Sequence, residues 1–252
     1  MDGSEVALAP AESKPPTKVT HQYVETALRN RGSSHVANTT VSFAALPIIT
    51  VSVGKEQITY QTHKDILTEK CRFFANMFDS GMSEAHTNHV KLPEDSHEAF
   101  EQFLSWIYFD EPPPQVDDDN LPCALPCWVL ADKFGMAKWQ DNIISEIMAW
   151  WHGADISARD ILWTLENASS TSVLFRLVVD QFVYQAGTTS EEFLNTKANR
   201  KELEYVLLRD ELPLVDFIVD LTSACKGNMR EPSGQGCKYH VHDADTKCQV
   251  RS

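Results

Sequence analysis

The residues best suited to chemistry lie near the end of the chain, where Cys237, His240, His242 and Cys248 follow the spacing C-x2-H-x-H-x5-C. Two thiols and two imidazoles form a ligand set that tetrahedral zinc accepts. His240 and His242 point to the same side if this segment is extended. Zinc held by all four would be structural, because no coordination position is left for water. The spacing is not that of a DNA-reading finger. The alternative is a polar tail whose ligands bind no metal.

A second residue that could do chemistry is His63. A catalytic histidine needs a nucleophile and an orienting carboxylate. The sequence shows no G-x-S-x-G motif, P-loop or dinucleotide fingerprint. We therefore predict that His63 is structural and that the chain is not an enzyme. A metal-dependent enzyme that uses the tail is the alternative, but no second polar cluster is available to line a pocket.

Composition narrows the classes of partner. The chain has 252 residues, and its net charge is -14, from 36 acidic and 22 basic residues. An acidic surface without a Lys/Arg cluster predicts no binding to nucleic acid or anionic membranes. Neither a signal peptide nor a transmembrane run is evident, so we expect an intracellular protein of the cytoplasm, the nucleus or both. Its six cysteines would then be thiols or metal ligands.

Low-complexity segments divide the chain. Residues 1–45 are rich in Ser, Thr, Ala and Pro and predict a disordered arm. A Pro/Asp-rich loop at 110–121 interrupts the middle of the chain, because proline removes amide donors and adjacent aspartates repel each other. Residues 225–252 form the polar Cys/His-containing tail.

The part before the loop mixes strands and helices. Residues 47–54 alternate apolar and polar side chains, and with a second strand starting at Ile58 they predict a hairpin. A helix with one apolar stripe ends at Gly81, and a short strand covers 90–92. The next helix is predicted to begin at Asp95, as N-cap acceptor, with a glutamate three residues later. The stripe of the first helix consists of Cys71, Phe74, Ala75 and Phe78.

The part after the loop is predicted to be all-helical. One stripe begins at Cys127 and ends at Gly135, and the next runs through Trp139, Ile143, Ile147 and Trp150. Further helices are predicted near 161–165, after a cap at Thr171 or Ser172, and near 199–208 and 212–224. The many aromatic residues fit core packing better than a ligand cage. One residue of the Trp150–Trp151 pair is predicted to be exposed and to mark a partner groove.

Several short motifs, in this order and spacing, resemble the BTB/POZ domain. They are Val51-Ser-Val-Gly54, Thr62-His-Lys-Asp-Ile-Leu67, Phe73-Phe74 with Met77-Phe78, Ser80-Gly-Met-Ser-Glu84, Val90-Lys-Leu-Pro-Glu-Asp95, Ala99-Phe100 to Trp106-Ile-Tyr108 and Leu130-Ala-Asp-Lys-Phe-Gly-Met136. The segments Pro47-Ile-Ile-Thr-Val51, His63-Lys-Asp65 and Leu174-Phe-Arg-Leu-Val-Val-Asp180 resemble BTB proteins of filamentous fungi in particular. The resemblance implies an α+β fold over 46–151, with a short hairpin-containing sheet flanked by helices, followed by an all-helical extension over 152–224. It makes Gly54, His63, Lys64, Phe74 and Phe78 structural residues of the family motif.

The resemblance also implies a function in protein–protein interaction, through a homodimer or through recruited protein partners. A runner-up is an adaptor of a cullin-based ubiquitin ligase, whose scaffold contact would use the hydrophobic-x-Glu element formed by Met82 and Glu84. Ile48 stands where many BTB domains have an aspartate. The resemblance therefore does not extend to the charged pocket at the dimer seam of BTB transcription factors. A zinc-containing transcription regulator is a further alternative, and without a DNA-reading element it would act through a partner.

Overall fold

The structure is a computed structural model, and it describes residues 46–81, 83–111, 113, 115–117, 119–188, 220 and 226–242. The arm predicted at 1–45, the helices predicted near 199–208 and 212–224, and the residues Met82 and Cys248 lie outside these ranges. The predicted domain boundaries stay predictions.

The described residues form a three-stranded sheet, eight α-helices and two 3₁₀ turns. The strands are β1 (Ile48–Val53), β2 (Ile58–His63) and β3 (His89–Leu92). The helices are α1 (Lys64–Lys70), α2 (Arg72–Asp79), α3 (Ser83–Thr87), α4 (His97–Phe109), α5 (Leu121–Phe134), α6 (Ala137–Trp151), α7 (Ala158–Asn167) and α8 (Val173–Thr188). The 3₁₀ turns cover Pro232–Gly234 and Gly236–Tyr239. The fold is therefore α+β and helix-rich, in agreement with the sequence prediction.

The sheet is small and mixed. Its order is β2-β1-β3, with β1 antiparallel to β2 and parallel to β3. The predicted hairpin is confirmed, and Gly54 turns the chain with a φ of 75° that favours glycine. The apolar residues Ile49, Val51 and Val53 of β1 are buried, as their alternation predicts. Ser52 is buried too, because β1 lies between two strands and its hydroxyl contacts His89 Nε2 at 2.7 Å.

Aromatic side chains join the helices that follow the sheet. The rings of Phe74 (α2), Phe103 (α4) and Phe134 (α5) pack with centroids 4.9–5.9 Å apart. Trp139 of α6 adds a fourth ring, 5.9 Å from Phe103. Such pairs contribute about 0.5–1.5 kcal/mol each beyond their buried area. The core prediction for these aromatic residues is confirmed, since all four are buried.

The cap predicted for α4 is wrong by one residue. Ser96 is the N-cap, and its hydroxyl accepts a hydrogen bond from the Ala99 amide at 3.2 Å. The Asp95 carboxylate instead accepts a hydrogen bond from Lys133 Nζ at 2.6 Å. Asp95, which the local pattern assigned to the cap, is therefore bound by Lys133 of α5 instead. The end of α5 at Gly135, with a φ of 65°, agrees with the prediction.

The predicted stripe of α6 is also wrong at its last residue. Trp151 continues the buried stripe of α6 and is 1% exposed, whereas Trp150 is half-buried. Four residues separate Trp151 from Ile147, so both lie on one helical face. Trp150 is thus only partly accessible, and the partner groove stays a prediction.

Among the described residues of the Pro/Asp-rich loop, Val116 anchors the middle of the loop to the core. Val116 is 5% exposed. Close by, Asp117 and Asn120 exchange hydrogen bonds, because the amide of each donates to the side-chain oxygen of the other at 2.9–3.0 Å. This reciprocal pair leads into α5 at Leu121. No helix or strand lies among the described residues between α4 and α5, as the prolines predict.

Helix α8 is joined to the end of α6 and to the connection that follows it by two buried glutamines. Gln181 Nε2 donates to the Trp151 carbonyl at 3.1 Å, and Gln185 binds the Ala154 carbonyl and the Ile156 amide. The first bond satisfies a carbonyl in the last turn of α6, and the other two satisfy backbone groups of the connection. The apolar core runs from the sheet through α8 to the tail residue Tyr239. Within the described ranges, no helix combines the length and apolar character needed to cross a membrane.

Candidate functional site

The turn from β2 to α1 is organised by the Tyr108 hydroxyl of α4. This hydroxyl accepts a hydrogen bond from the His63 amide at 3.0 Å. It also contacts His63 Nδ1 at 2.8 Å and Thr62 Oγ1 at 2.9 Å. A phenol has one donor and two acceptor positions, so these three contacts saturate it. The histidine predicted to be structural thus lies in a hydrogen-bonded turn.

The other residues of the family motif pack around this turn or join the hairpin to the sheet. Phe74 is fully buried, and Phe78 is 9% exposed with the Lys64 ammonium 4.4 Å from its ring centroid. A cation over an aromatic face adds a modest attraction. The Gly54 amide donates to the Leu92 carbonyl at 2.9 Å and links the hairpin to β3.

The candidate contact for a partner lies on the short helix α3. Glu84 is half-buried, and Ser83 Oγ donates to its carboxylate at 3.1 Å. The residues around it on α3 include the exposed Ser83, His86 and Thr87. Met82, the apolar half of the predicted element, lies outside the described residues, so the pair cannot be placed together.

Three of the four predicted metal ligands come together in the tail. Cys237 Sγ and one ring nitrogen each of His240 and His242 lie within 4.8 Å of one another. Cys237 belongs to the second 3₁₀ turn, and the two histidines follow it in extended and turn conformations. Cys237 is exposed, whereas His240 is 9% exposed. The fourth predicted ligand, Cys248, lies outside the described ranges.

His240 is oriented by a hydroxyl of α6. Ser145 Oγ donates to the Asp141 carbonyl at 2.7 Å, so toward His240 Nε2, at 3.0 Å, it acts as an acceptor. With the Ser145 proton directed to that carbonyl, His240 donates from Nε2 and its Nδ1 bears the lone pair. Burial lowers the pKa of His240, and His242 lowers it further, while Asp141 opposes both effects. The neutral ring, which is the ligating form, is therefore favoured.

His242 is oriented by a carboxylate of the same helix. Its Nδ1 lies 2.9 Å from Asp141 Oδ2. Asp141 also accepts hydrogen bonds from the amides of Val241 and His242, at 2.6 and 3.3 Å. The other ring nitrogen, Nε2, is buried and has no hydrogen-bond partner among the described residues. A neutral His242 with its proton on Nδ1 thus presents an Nε2 lone pair.

A buried anchor holds the tail beside these residues. Tyr239 is fully buried, and its hydroxyl donates to Asp180 Oδ2 of α8 at 2.7 Å. Lys238 Nζ approaches the same oxygen at 2.8 Å. Burial raises the pKa of Tyr239, and the hydrogen bond and charge of Asp180 raise it further. The tail is therefore attached to α8 as well as to α6.

Sequence reasoning missed the residues that orient this cluster, which are Asp141, Ser145 and Asp180. Asp141 and Ser145 are four residues apart and share one face of α6. Asp180 lies among apolar residues in the most hydrophobic part of α8. A polar residue at an otherwise buried helical position was the available signal, but its partner could not be named without the tertiary structure.

Comparison with known sequences bears on the first half of the chain. The sequence profile described as "BTB/POZ domain" matches residues 48–146. This range spans the sheet and α1 to α5, together with most of α6. Residues 48–146 are a BTB/POZ domain.

Two relatives match part of the chain. A BTB/POZ domain-containing protein of Arabidopsis thaliana is 35% identical over 89 residues, which is 35% of this chain and 11% of that protein. A leucine-zipper-like transcriptional regulator 1 homolog of Drosophila melanogaster is 26% identical over 125 residues, covering 49% of this chain and 12% of that protein. The chain thus matches only about a tenth of the length of these relatives. They come from a plant and an insect, and the resemblance to filamentous-fungal proteins stays a prediction.

BTB domains are protein-interaction modules and are generally non-enzymatic. The tail cluster lies beyond the matched residues, but the side chains that orient it do not. Asp141 and Ser145 belong to the BTB domain, whereas the three ligand candidates follow α8 in the chain. The cluster is therefore built jointly by the BTB domain and the C-terminal segment.

Proposed function

We propose that this chain is a non-enzymatic interaction module that forms a homodimer through its BTB domain and recruits protein partners. The proposal of a homodimer rests on the exposure of Ile48. It is 56% exposed at the start of β1, while its neighbour Ile49 is 1% exposed. Burying this exposed side chain against a partner surface is favourable, because apolar area is then removed from water.

A second copy of the chain is the occupant that this surface suits best. In a two-fold dimer each copy contributes the same patch, so one exposed isoleucine per chain supplies two apolar side chains to one seam. Fully burying an isoleucine contributes about 1.5–3 kcal/mol. An apolar residue here also replaces the aspartate of many BTB domains, so the proposed seam is apolar rather than charged at this point.

Light-scattering mass of the purified full chain, measured over a concentration series, tests the dimer. We expect a mass of two chains for the unmodified protein and a shift toward one chain for Ile48→Lys. Thr59→Lys is the matched control, because Thr59 is an exposed strand residue of β2. A single-chain mass for the unmodified protein at every concentration would overturn the proposal, as would equal dimer strength in the two variants.

The second candidate is a scaffold-binding subunit of a cullin-based ubiquitin ligase. It is favoured by the position of Glu84, whose half-buried carboxylate is presented on α3 beside three exposed side chains. An acidic group in this setting can accept charge-assisted hydrogen bonds from a basic partner.

Calorimetric titration with the cullin N-terminal domain from the same organism tests this candidate. We expect binding that Glu84→Lys abolishes and that Glu94→Lys leaves intact, because Glu94 is exposed in the turn before α4. Circular dichroism of both variants checks the fold. Absence of heat from the unmodified chain, or equal loss in both variants, would refute the adaptor role and leave the dimeric module.

We also propose that the chain works inside the cell, in the cytoplasm, the nucleus or both. Support comes from its cysteines, since Cys71, Cys123 and Cys127 are all thiols in the structure. Fluorescence of a tagged full chain in living cells tests the location, and a signal confined to the secretory pathway or the medium would contradict it.

A further inference from the structure

We propose that Cys237, His240 and His242 bind one Zn²⁺ ion, and that Asp141 and Ser145 of the BTB domain hold the two imidazoles in the ligating orientation. This site is independent of the dimer and of any partner proposed above. It would fasten the C-terminal segment to α6.

The donor set suits zinc in type and in distance. A thiolate with two imidazoles is a combination that Zn²⁺ binds readily. With zinc bonds of about 2.0–2.3 Å, the ligand atoms of a tetrahedral site lie about 3.3–3.7 Å apart. The three candidate atoms already lie within 4.8 Å of one another. A contraction of about 1 Å therefore brings these three donors to bonding distance of one ion, which leaves the fourth tetrahedral position to another ligand or to water.

Both imidazoles have the outer contacts that metal-bound histidines typically have. Metal-ligating histidines donate their second ring N–H to a carboxylate, carbonyl or hydroxyl. His242 makes this contact with the Asp141 carboxylate, and His240 makes it with Ser145 Oγ. When each contact is made through an N–H, the other ring nitrogen bears the lone pair that can bind a metal ion.

The buried Nε2 of His242 is a second, independent indication. This atom has no hydrogen-bond partner within the described part of the chain. Leaving a buried polar atom unsatisfied costs about 1–3 kcal/mol. A metal bond to this lone pair removes the cost, and no protein group in the described ranges does so.

The charges balance around a divalent ion. Histidines that bind a metal ion do so in the neutral form, so in the zinc-bound site a Cys237 thiolate and the Asp141 carboxylate supply two negative charges. Zn²⁺ therefore enters without leaving a net charge in a half-buried position, which would be costly. Zinc binding releases the thiol proton of Cys237 to solvent.

Zinc titration of the full chain tests the site. The purified protein is stripped with a chelator and titrated with Zn²⁺ against a chromophoric competitor. We expect one ion per chain, with affinity lowered at least about 100-fold by Cys237→Ser and by His242→Gln, since each removes a ligand. Asp141→Asn should lower it about 10–100-fold through the orienting contact alone.

Matched controls separate these effects from general damage. Cys123→Ser removes a part-buried thiol of α5, and His86→Gln removes an exposed imidazole of α3. Both variants should bind Zn²⁺ as the unmodified chain does. Equal affinity in the ligand variants and in these controls would overturn the site. An unchanged affinity in Asp141→Asn would overturn the positioning role of Asp141.

A measurement on the unmodified chain covers the case in which a ligand variant does not fold. Alkylation with iodoacetamide, read by peptide mass, should modify the exposed Cys237 in stripped protein and spare it once Zn²⁺ is added. Co²⁺ in place of Zn²⁺ should give visible bands of a tetrahedral ion with a thiolate charge-transfer band. Alkylation of Cys237 that Zn²⁺ does not slow, or a Co²⁺ spectrum without thiolate character, would refute the proposal.

Discussion

Replacing Tyr108 by phenylalanine removes one oxygen atom and, with it, the centre of the turn between β2 and α1. The hydroxyl contacts the His63 amide, His63 Nδ1 and Thr62 Oγ1 at 2.8–3.0 Å. The ring of phenylalanine retains the packing of the tyrosine ring, including its contact with His63 at 5.9 Å between centroids. The change in stability therefore reports the hydrogen bonds rather than lost packing.

The expected loss follows from the three contacts. A hydrogen bond contributes about 0.5–1.5 kcal/mol net, and a buried group left without a partner costs more. Thr62 is 2% exposed, so its hydroxyl cannot easily turn to water, whereas the half-buried His63 ring can. We expect the free energy of unfolding to fall by about 2–3 kcal/mol.

Urea unfolding of the full chain, followed by circular dichroism, measures this loss. A fall of about 2–3 kcal/mol corresponds to a midpoint lower by about 1 M, for a urea dependence of about 2–3 kcal/mol per M. Tyr184→Phe is the matched control, because no hydrogen bond of the Tyr184 hydroxyl is evident among the described residues and the side chain is half-buried. The control should change stability by less than about 0.5 kcal/mol.

Equal stability of Tyr108→Phe and the control would refute the reasoning, since the hydroxyl would then have been replaced by water without cost. A changed urea dependence with an unchanged midpoint would also contradict it, because the effect would then lie in the unfolded chain or in a loss of two-state behaviour.

Three further changes test other parts of the fold. Gly135→Ala should lower the free energy of unfolding by about 1 kcal/mol in the same urea series, because Gly135 has a φ of 65°, in the left-handed region that favours glycine. Gly153→Ala is the control and should change this free energy little, because Gly153 lies outside that region and has open space around it. Ser157→Ala removes the capping box of α7 and should lower stability by about 0.5–2 kcal/mol, read as a lower thermal midpoint. Tyr239→Phe leaves Asp180 without its phenol donor, so it should lower the free energy of unfolding by about 1.5–3 kcal/mol and speed amide hydrogen exchange in the tail. Unchanged exchange there would show that this hydrogen bond does not anchor the tail.

Local sequence patterns predicted most of the elements of the BTB domain. The alternation in β1 places Ile49, Val51 and Val53 inside, and the glycine after α5 ends that helix, because both effects depend on neighbours a few residues away. Spacing alone also placed Cys237, His240 and His242 together as candidate ligands, and the structure has them within 4.8 Å.

Local sequence patterns predicted the structure less well where a side chain distant in the sequence contacts the residue in question. The predicted cap Asp95 pairs with Lys133, which is 38 residues away, and Ser96 caps the helix instead. At the end of α6 the apolar period placed Trp150 on the predicted stripe, whereas the fully buried residue is Trp151. Packing against the helices that follow selects Trp151, and the Gln181 side chain binds the carbonyl of this residue.

The sequence by itself determined which side chains were available for a metal site, and the tertiary structure decided which polar groups contact their ring nitrogens. Asp141 meets Val241 at a separation of 100 residues, and Ser145 meets His240 at 95. No periodicity extends over such distances, since helical and strand patterns report only which face of an element is apolar. The packing of the tail on α6 brings a carboxylate and a hydroxyl to two imidazoles, and these contacts set the direction of each lone pair.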